Sequence, residues 1–391
     1  MTHVVDRSLL RKIKRHGAGS KLDVDACFQC GNCTAVCPLA EDSGGFPRRL
    51  IRMAQLGMEK ELLASEDIWR CYACGECTQT CPRQADPAEF MAATRSYAIS
   101  RYDFTGLAAL ANRSVLGNLA VFALFSIVFG LLLASAQAPV SPQAPLFDFI
   151  PGWWIHAIGV ALFVVVGISA ALGMFAMFAR FVMGQRRKGV PLRLGALPGA
   201  IASAVTDALM HRRFQRCDSG QATPPPPVEP WYLRAWVVHA AVMGGFLTML
   251  LATTLDFLFK PIGSPVPPWY PMRILGLVGG LTCLYGLAII FLRRIRAAQP
   301  PWRKSAFSDW FFPSLLAATV LTGLATEVSV YAPLGSVGHG IFFTHVVLAM
   351  DLVAMLPLTK FAHVLYRTLA LTLFAWRHAP AREHVTVDAQ I

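Results

Sequence analysis

Cys27-x-x-Cys30-x-x-Cys33-x-x-x-Cys37-Pro38 recurs as Cys71-x-x-Cys74-x-x-Cys77-x-x-x-Cys81-Pro82, and this doubled run decides how the first quarter of the chain folds. Three thiolates at this spacing wrap three irons of one cubane. The fourth Cys, three residues further on and followed by Pro, points away and ligates the other cluster. The pattern therefore predicts one [4Fe–4S] cluster on Cys27, Cys30, Cys33 and Cys81, and another on Cys71, Cys74, Cys77 and Cys37. Gly31 and Gly75 let the backbone turn closely around the sulfurs. Two zinc sites are the competing reading, but zinc is usually held by paired C-x-x-C knuckles rather than by a doubled four-cysteine run ending in Pro. The two motifs begin 44 positions apart, with helix-forming sequence such as Arg48-Arg-Leu-Ile-Arg-Met-Ala-Gln-Leu56 between them. That gap favours an α-helical ferredoxin over a compact one, and the chain as a whole reads as all-α.

Outward from the motifs, composition separates two domains. Hydrophobic residues make up 55% of the 391 and charged residues only 15%. Several apolar runs exceed the ~20 residues needed to cross a bilayer, which marks an integral membrane protein. Residues 1–105 are polar and form the cluster domain, 106–376 the membrane domain, and 377–391 a tail. No signal peptide is visible, so the cluster domain is expected to stay on the side where it is made, the cytoplasm. There, eight of the ten cysteines in two tight clusters read as metal ligands rather than disulfides. The net charge of +12 is no nucleic-acid signal, because the first hundred residues mix both signs and the basic excess sits in loops between apolar runs.

Six spans are predicted, at about 115–137, 152–183, 232–259, 271–292, 309–331 and 339–366. The segment 184–230 carries Arg186, Arg187, Lys188, Arg193, Arg212, Arg213 and Arg216. The segment 293–308 carries Arg293, Arg294, Arg296, Arg303 and Lys304, and the tail adds Arg377 and Arg382. The alternate loops 138–151 and 332–338 have no Lys or Arg, and 260–270 has only Lys260. The positive-inside rule then places both termini in the cytoplasm and the chain in the inner membrane. Trp153, Trp154, Trp231, Tyr232, Trp269, Tyr270 and Trp310 at span ends form an aromatic belt. Pro224–Pro227 reads as a stiff spacer, and 192–214 as a helix on the membrane surface.

The stretch Cys27–Ile99 resembles the heterodisulfide reductase C-subunit domain. The resemblance rests on the Cys motifs, on Phe46-Pro-Arg-Arg49, Gln55-Leu-Gly57 and Asp67-Ile-Trp-Arg-Cys71, and on Cys81-Pro-Arg83 and Met91-Ala-Ala-Thr-Arg95. The membrane part resembles, more loosely, the γ-subunit cytochrome b of respiratory nitrate reductase. Their fusion resembles the membrane subunit of quinone-interacting, Qmo-type oxidoreductases. That resemblance implies haem b, quinone as substrate, soluble flavoprotein partners of the heterodisulfide reductase A type, and a link to dissimilatory sulfur metabolism through adenylylsulfate reductase. The chain has no dinucleotide fingerprint of its own, so a flavin must sit elsewhere. Two rivals remain: the membrane subunit for tricarballylate oxidation, and a transporter gated by a cluster-bearing redox sensor, which predicts no haem.

Buried haem iron is usually held by two axial His from different helices. His345 and His363 lie 18 positions apart in the predicted last span. On one helix that is five turns, hence one face and a separation of about 27 Å. The same separation resembles that of the two His on the last helix of the nitrate reductase γ subunit. His239, about two turns into the third span, lies at the depth of His363, and these two form the predicted inner haem pair. For an outer haem, His345 is paired with His156. Met249, at the position where the γ-subunit pattern has a second His, is the alternative, and a third reading has no second haem. Ionisable residues inside spans are functional suspects. Glu327 and His339 are candidates for proton or quinone chemistry, as is Asp256, whose bland reading is a pair with Lys260; Asp351 is also noted. Cys217 and Cys283 are read as structural, and His211, among Arg212, Arg213 and Arg216, as a headgroup-level residue.

Overall fold

The computed structural model describes residues 5–17, 22–141, 145–218, 229–259, 266–297, 302, 305–332 and 334–379. Among these the chain is helical, with no strand. The expected Pro224–Pro227 spacer, Lys260, Arg303, Lys304 and Arg382 lie outside the described residues.

The N-terminal region is built from α1 (Leu9–Arg15), α2 (Arg48–Gln55) and α3 (Pro87–Tyr102), with the cysteine motifs between them. Each helix buries one apolar face. Leu9 and Ile13, Leu50 and Ile51, and Phe90 and Met91 meet in one core with Ile68 and Trp69. Removing such side chains from water is worth about 1.5–3 kcal/mol each. Pro87 starts α3, where a missing N–H costs nothing.

Among the described residues six helices are long and apolar enough to cross a membrane: α4 (Val115–Ser135), α5 (Gly152–Arg187), α8 (Ala235–Phe259), α9 (Pro271–Arg296), α10 (Phe307–Tyr331) and α11 (Ser336–Ala354). Between α5 and α8 lie α6 (Leu197–Met210) and α7 (Arg212–Asp218); α12 (His363–Arg377) closes the described chain. Leu131, Val165 and Phe175 are more than half exposed on the spans, as suits side chains that face lipid. Glycines bring α8 and α9 together: a Cβ on Gly245 would lie 2.5 Å from the Gly279 carbonyl oxygen, and one on Gly286 2.8 Å from that of Val238. Small residues at a crossing are a common means of tight helix packing in lipid.

At 36 residues, α5 is about 54 Å long, far beyond a hydrocarbon core of about 30 Å. Its C-terminal end carries the N-terminal region: Arg180 donates to the Arg101 carbonyl at 3.0 Å. From α12, Tyr366 meets Trp69 at 5.0 Å and Arg377 pairs with buried Glu66 at 2.9 Å. The end of the bundle that bears this region is called proximal, the other distal.

The last span differs from expectation. A single helix over 339–366 is not formed: α11 ends at Ala354, and a short 3-10 turn, Lys360–Ala362, precedes α12. Pro357 is the physical reason. It lacks an N–H, and its ring clashes with the carbonyl four residues back. The freed groups are satisfied locally, with Asn112 donating to the Leu358 carbonyl at 2.8 Å and Thr359 to that of Met355 at 2.9 Å. His345 and His363 therefore sit on different helices, and the five-turn, 27 Å relation does not apply. The expected surface helix over 192–214 is likewise two helices, broken at His211, whose φ is 52°.

Candidate cluster and haem centre

Both cysteine motifs wrap the backbone the same way. Gln29 and Ala73, two residues past the first Cys of each motif, have φ of 66° and 54°. Gly31 and Gly75, four residues past it, have φ of 91° and 90° and open the one-turn helices Asn32–Ala35 and Glu76–Gln79. Left-handed backbone at these points turns the chain around the sulfurs, and only glycine adopts it without cost.

Mutual electrostatics shows which thiols lie together. Burial first, then the neighbouring Cys27, Cys30 and Cys81, pushes the Cys33 thiol up to about 11. Burial raises Cys37 to about 12, with Cys71 and Cys74 adding to it. Cys77 is driven well up by burial, then by Cys71, Cys74, Cys37 and Cys33. Cys81 is thus among the neighbours that act on the first motif and Cys37 among those that act on the second, with Cys33 also acting on Cys77. Four thiolates in such a space need positive charge beside them, which iron supplies. Hydrogen bonds also reach sulfur: Ala73 N–H donates to Cys71 Sγ at 3.3 Å and Ala85 N–H to Cys81 Sγ at 3.4 Å. Thiols of this number and kind, with N–H groups donating to sulfur, are the chemistry that cubanes need, while among the described residues no three of the side chains already stand close enough to share one metal ion. Cys30 is exposed, whereas Cys71 is buried. Beside Cys27, Phe28 and Gln29 an open concavity of about 920 Å³ is bordered by Arg48, Arg49 and Arg52.

The second motif is tied to the bundle. Arg367 of α12 donates to the Cys71 carbonyl at 3.2 Å and to that of Arg70 at 3.1 Å, and its guanidinium lies 3.6 Å from the centre of the Tyr72 ring. Arg95 of α3 also reaches the Cys71 carbonyl, at 3.3 Å. A buried ion network supports this junction. Arg70 pairs with Asp67 at 3.0 Å and with Asp42 at 3.3 Å, Arg49 with Asp67, and Arg70 lies 3.6 Å over the Phe374 ring of α12.

One turn before Arg367 stands His363. Its ring centre lies 6.4 Å from that of His239 on α8. Two imidazoles binding one metal through nitrogens about 2 Å away place their centres about 6 Å apart. His363 Nδ1 lies 2.7 Å from the Lys360 carbonyl, and His239 Nδ1 lies 2.9 Å from Nε2 of His211. Both Nδ1 atoms have partners, so both Nε2 atoms are left for a metal, the arrangement that ligating histidines adopt. The pair fits a bis-histidine haem.

The other expected residues are placed differently. Among the described residues no ring contact joins His156 to His345. His156 meets Phe257 edge-on at 5.0 Å, while His345 Nδ1 lies 3.1 Å from the Thr319 carbonyl and 3.2 Å from Thr322 Oγ1 of α10. Met249 packs on α9, its sulfur 3.8 Å from where a Cβ on Gly280 would lie. His339 stacks on Phe149 at 4.7 Å. Glu327 pairs with Arg273 at the distal end. Asp256 lies near the end of α8; its expected partner Lys260 lies outside the described residues. Asp351 is fully buried and accepts from Ser126 Oγ at 2.6 Å.

Three residues have roles that their sequence setting hides. His211 is 5% exposed and faces His239 rather than headgroups. Arg213 beside it pairs with Asp207 at 2.9 Å, so the local charge is partly neutralised. Cys217 is buried and lines the same small hollow as Cys37, Cys71, Cys74 and Cys77. Phe214 stacks on Tyr72 at 5.0 Å and meets His239 edge-on at 5.8 Å. Apart from Arg213 and Asp207, six positions from each other, these contacts join positions far apart in sequence, so no local pattern marks them.

Residues 23–85 match the family model described as 4Fe-4S dicluster domain. Over 65 residues the chain is 34% identical to the C subunit of the H(2):CoB-CoM heterodisulfide,ferredoxin reductase of Methanothermobacter marburgensis, covering 17% of this chain and 34% of that protein. It is 40% identical over 48 residues to the iron-sulfur C subunit of the CoB--CoM heterodisulfide reductase of Methanopyrus kandleri, covering 12% and 25%. It is 42% identical over 45 residues to the C2 subunit of the H(2)/formate:CoB-CoM heterodisulfide,ferredoxin reductase of Methanococcus maripaludis, covering 12% and 24%. The similarity thus spans about a third or less of the length of these relatives and less than a fifth of this chain.

Proposed function

We propose that the chain is the membrane electron-transfer subunit of an oxidoreductase, passing electrons between a soluble flavin/iron–sulfur partner and membrane quinone. The path runs through two [4Fe–4S] clusters, on Cys27, Cys30, Cys33 and Cys81 and on Cys71, Cys74, Cys77 and Cys37, and a haem b between His239 and His363. The observation that carries the reading is adjacency: Arg367, one turn from His363, donates to the carbonyl of Cys71 at 3.2 Å. When bound, the clusters and haem supply the one-electron chemistry. The chain's own residues do the rest. Arg95 and Arg367 put positive charge beside the second cysteine set, the Lys360 carbonyl and His211 hold the two imidazoles, and the bundle excludes water.

The exposed Cys30 and the arginine-bordered concavity beside Cys27 make the first set the side for a soluble partner. Relatives named as heterodisulfide reductase C subunits support other reductase subunits as that partner, and a flavoprotein of the A type rests on the likeness to Qmo-type fusions. The sulfur-metabolic setting and adenylylsulfate reductase rest on the likeness to Qmo-type fusions. The Lys/Arg-rich proximal loops support a cytoplasmic proximal end. Glu327, Asp256 and His339 stay candidates for quinone and proton handling at the distal end.

The test is His239→Ala in the purified full chain. It should lose the low-spin haem signal and quinone-linked turnover while keeping about eight irons and eight acid-labile sulfides. A variant that keeps full haem content, an unchanged low-spin spectrum and turnover refutes the inner pair.

A further inference from the structure

We propose that His211 is a positioning residue that sets the tautomer and donor strength of His239, an inference that rests on the inner haem reading above. His211 and His239 share one hydrogen bond, 2.9 Å between Nε2 of the first and Nδ1 of the second. Which ring donates follows from the next bond along. His211 Nδ1 lies 3.1 Å from the Leu209 carbonyl, which can only accept. A neutral His211 therefore carries its proton on Nδ1 and presents a bare Nε2. His239 must then donate from Nδ1, which leaves its Nε2 bare and free to face His363. One backbone carbonyl thus sets the protons of two rings in series.

The surroundings hold this relay in place. His211 is 5% exposed and adopts a left-handed backbone, φ 52° and ψ 26°, at the break between α6 and α7. A non-glycine residue held there is over-determined by its neighbours, and such positions cluster at functional sites. The neighbours are visible. Gln215 N–H donates to the His211 carbonyl at 2.9 Å. Phe214 is wedged between Tyr72 of the second motif and the His239 ring. The same turn therefore touches the cluster loop and the haem ligand at once.

A hydrogen bond donated from the distal ring nitrogen raises the basicity of a ligating imidazole. A more basic ligand favours the oxidised metal, so His211 lowers the haem potential. The experiment compares His211→Phe, His211→Gln and His239→Ala with the parent chain in detergent, by redox titration of the haem band and by EPR. In His211→Phe the midpoint potential should move upward and the low-spin g-values should change, with cluster content intact. His211→Gln offers a carbonyl oxygen to the same Nδ1–H and should return both readouts towards the parent. If His211→Phe loses the haem altogether, His211→Gln decides: haem retained at a near-parent potential supports the role, and haem lost with clusters intact overturns it. A parental potential and EPR spectrum in His211→Phe, alongside haem loss in His239→Ala, overturns the positioning role and leaves the haem reading standing. Haem retained in His239→Ala overturns both.

Discussion

The two ends of the helix bundle hold similar raw materials and assemble them differently. At the proximal end, His239 and His363 each have Nδ1 engaged, and their ring centres lie 6.4 Å apart. Midway along α11, the Thr319 carbonyl and Thr322 Oγ1 hold His345 at 3.1 and 3.2 Å, but no ring stands opposite it among the described residues. His156 lies against Phe257, His339 against Phe149, and Glu327 against Arg273. The lesson is that intramembrane histidines do not make a metal site by depth alone. Partner groups must aim them at one point. The proximal end has those partners because the N-terminal region and α7 are packed onto it.

The largest effect should come from breaking the cysteine exchange that joins the proximal assembly. In Cys37→Ala the second set loses its fourth thiolate, since Cys37 lies with Cys71 and Cys74. The expected result is loss or conversion of one cluster in EPR, that of the second motif, with the first retained. Electron flow to the haem should fail while haem content stays near the parent value. Loss of the first-motif cluster alone would show that each motif closes on its own cysteine and would sever the proposed path at its start.

Stability should separate the ends next. Asp67 and Arg70 are each about 1% exposed and paired, and Arg49 also reaches Asp67. Asp67→Ala leaves Arg70 buried with only the half-exposed Asp42, and breaking such a pair costs about 3–5 kcal/mol. The distal pair is different: the Glu327 side chain is 37% exposed. Glu327→Gln should cost no more than about 1 kcal/mol. Thermal unfolding followed through the cluster absorbance should fall clearly in the first variant and hardly in the second. Equal losses would mean that the junction between the N-terminal region and the bundle is not the stiffer part.

Much of this asymmetry is readable from the residues alone, and the unread part has identifiable causes. The cysteine motifs are local, so spacing alone foretells the all-α, cluster-bearing region that the dicluster-domain match over 23–85 supports. Hydropathy foretells six membrane-length apolar helices, because each is a continuous run close to or beyond the bilayer thickness, but it misses the break that ends the last one at Ala354. The continuous last helix fails because a family resemblance outweighs Pro357, whose local effect is plain in the sequence. His211 fails for another reason. Its neighbours Arg212, Arg213 and Arg216 suggest a headgroup setting, and only the fold brings His239, 28 positions away, to His211. Tertiary pairings between positions far apart leave no periodic trace.

The smallest expected effect is at His156, and it bears on the comparison most directly. Sequence depth pairs His156 with His345 for a second haem. The fold instead sets His156 edge-on to Phe257 at 5.0 Å and gives His345 its partners on α10. A haem held there would need His156 and His345, or another donor, to turn their ring nitrogens towards one another. None of the contacts of His156 places His345 there. His156→Phe keeps a ring against Phe257 and removes only the nitrogens, so packing is little disturbed. Haem per chain, the low-spin spectrum and the midpoint potential should all match the parent. A fall in haem stoichiometry in this variant, with the His239–His363 signal intact, would mean that the distal end closes around a second haem on binding. The difference between the ends would then be one of preorganisation rather than of ligation.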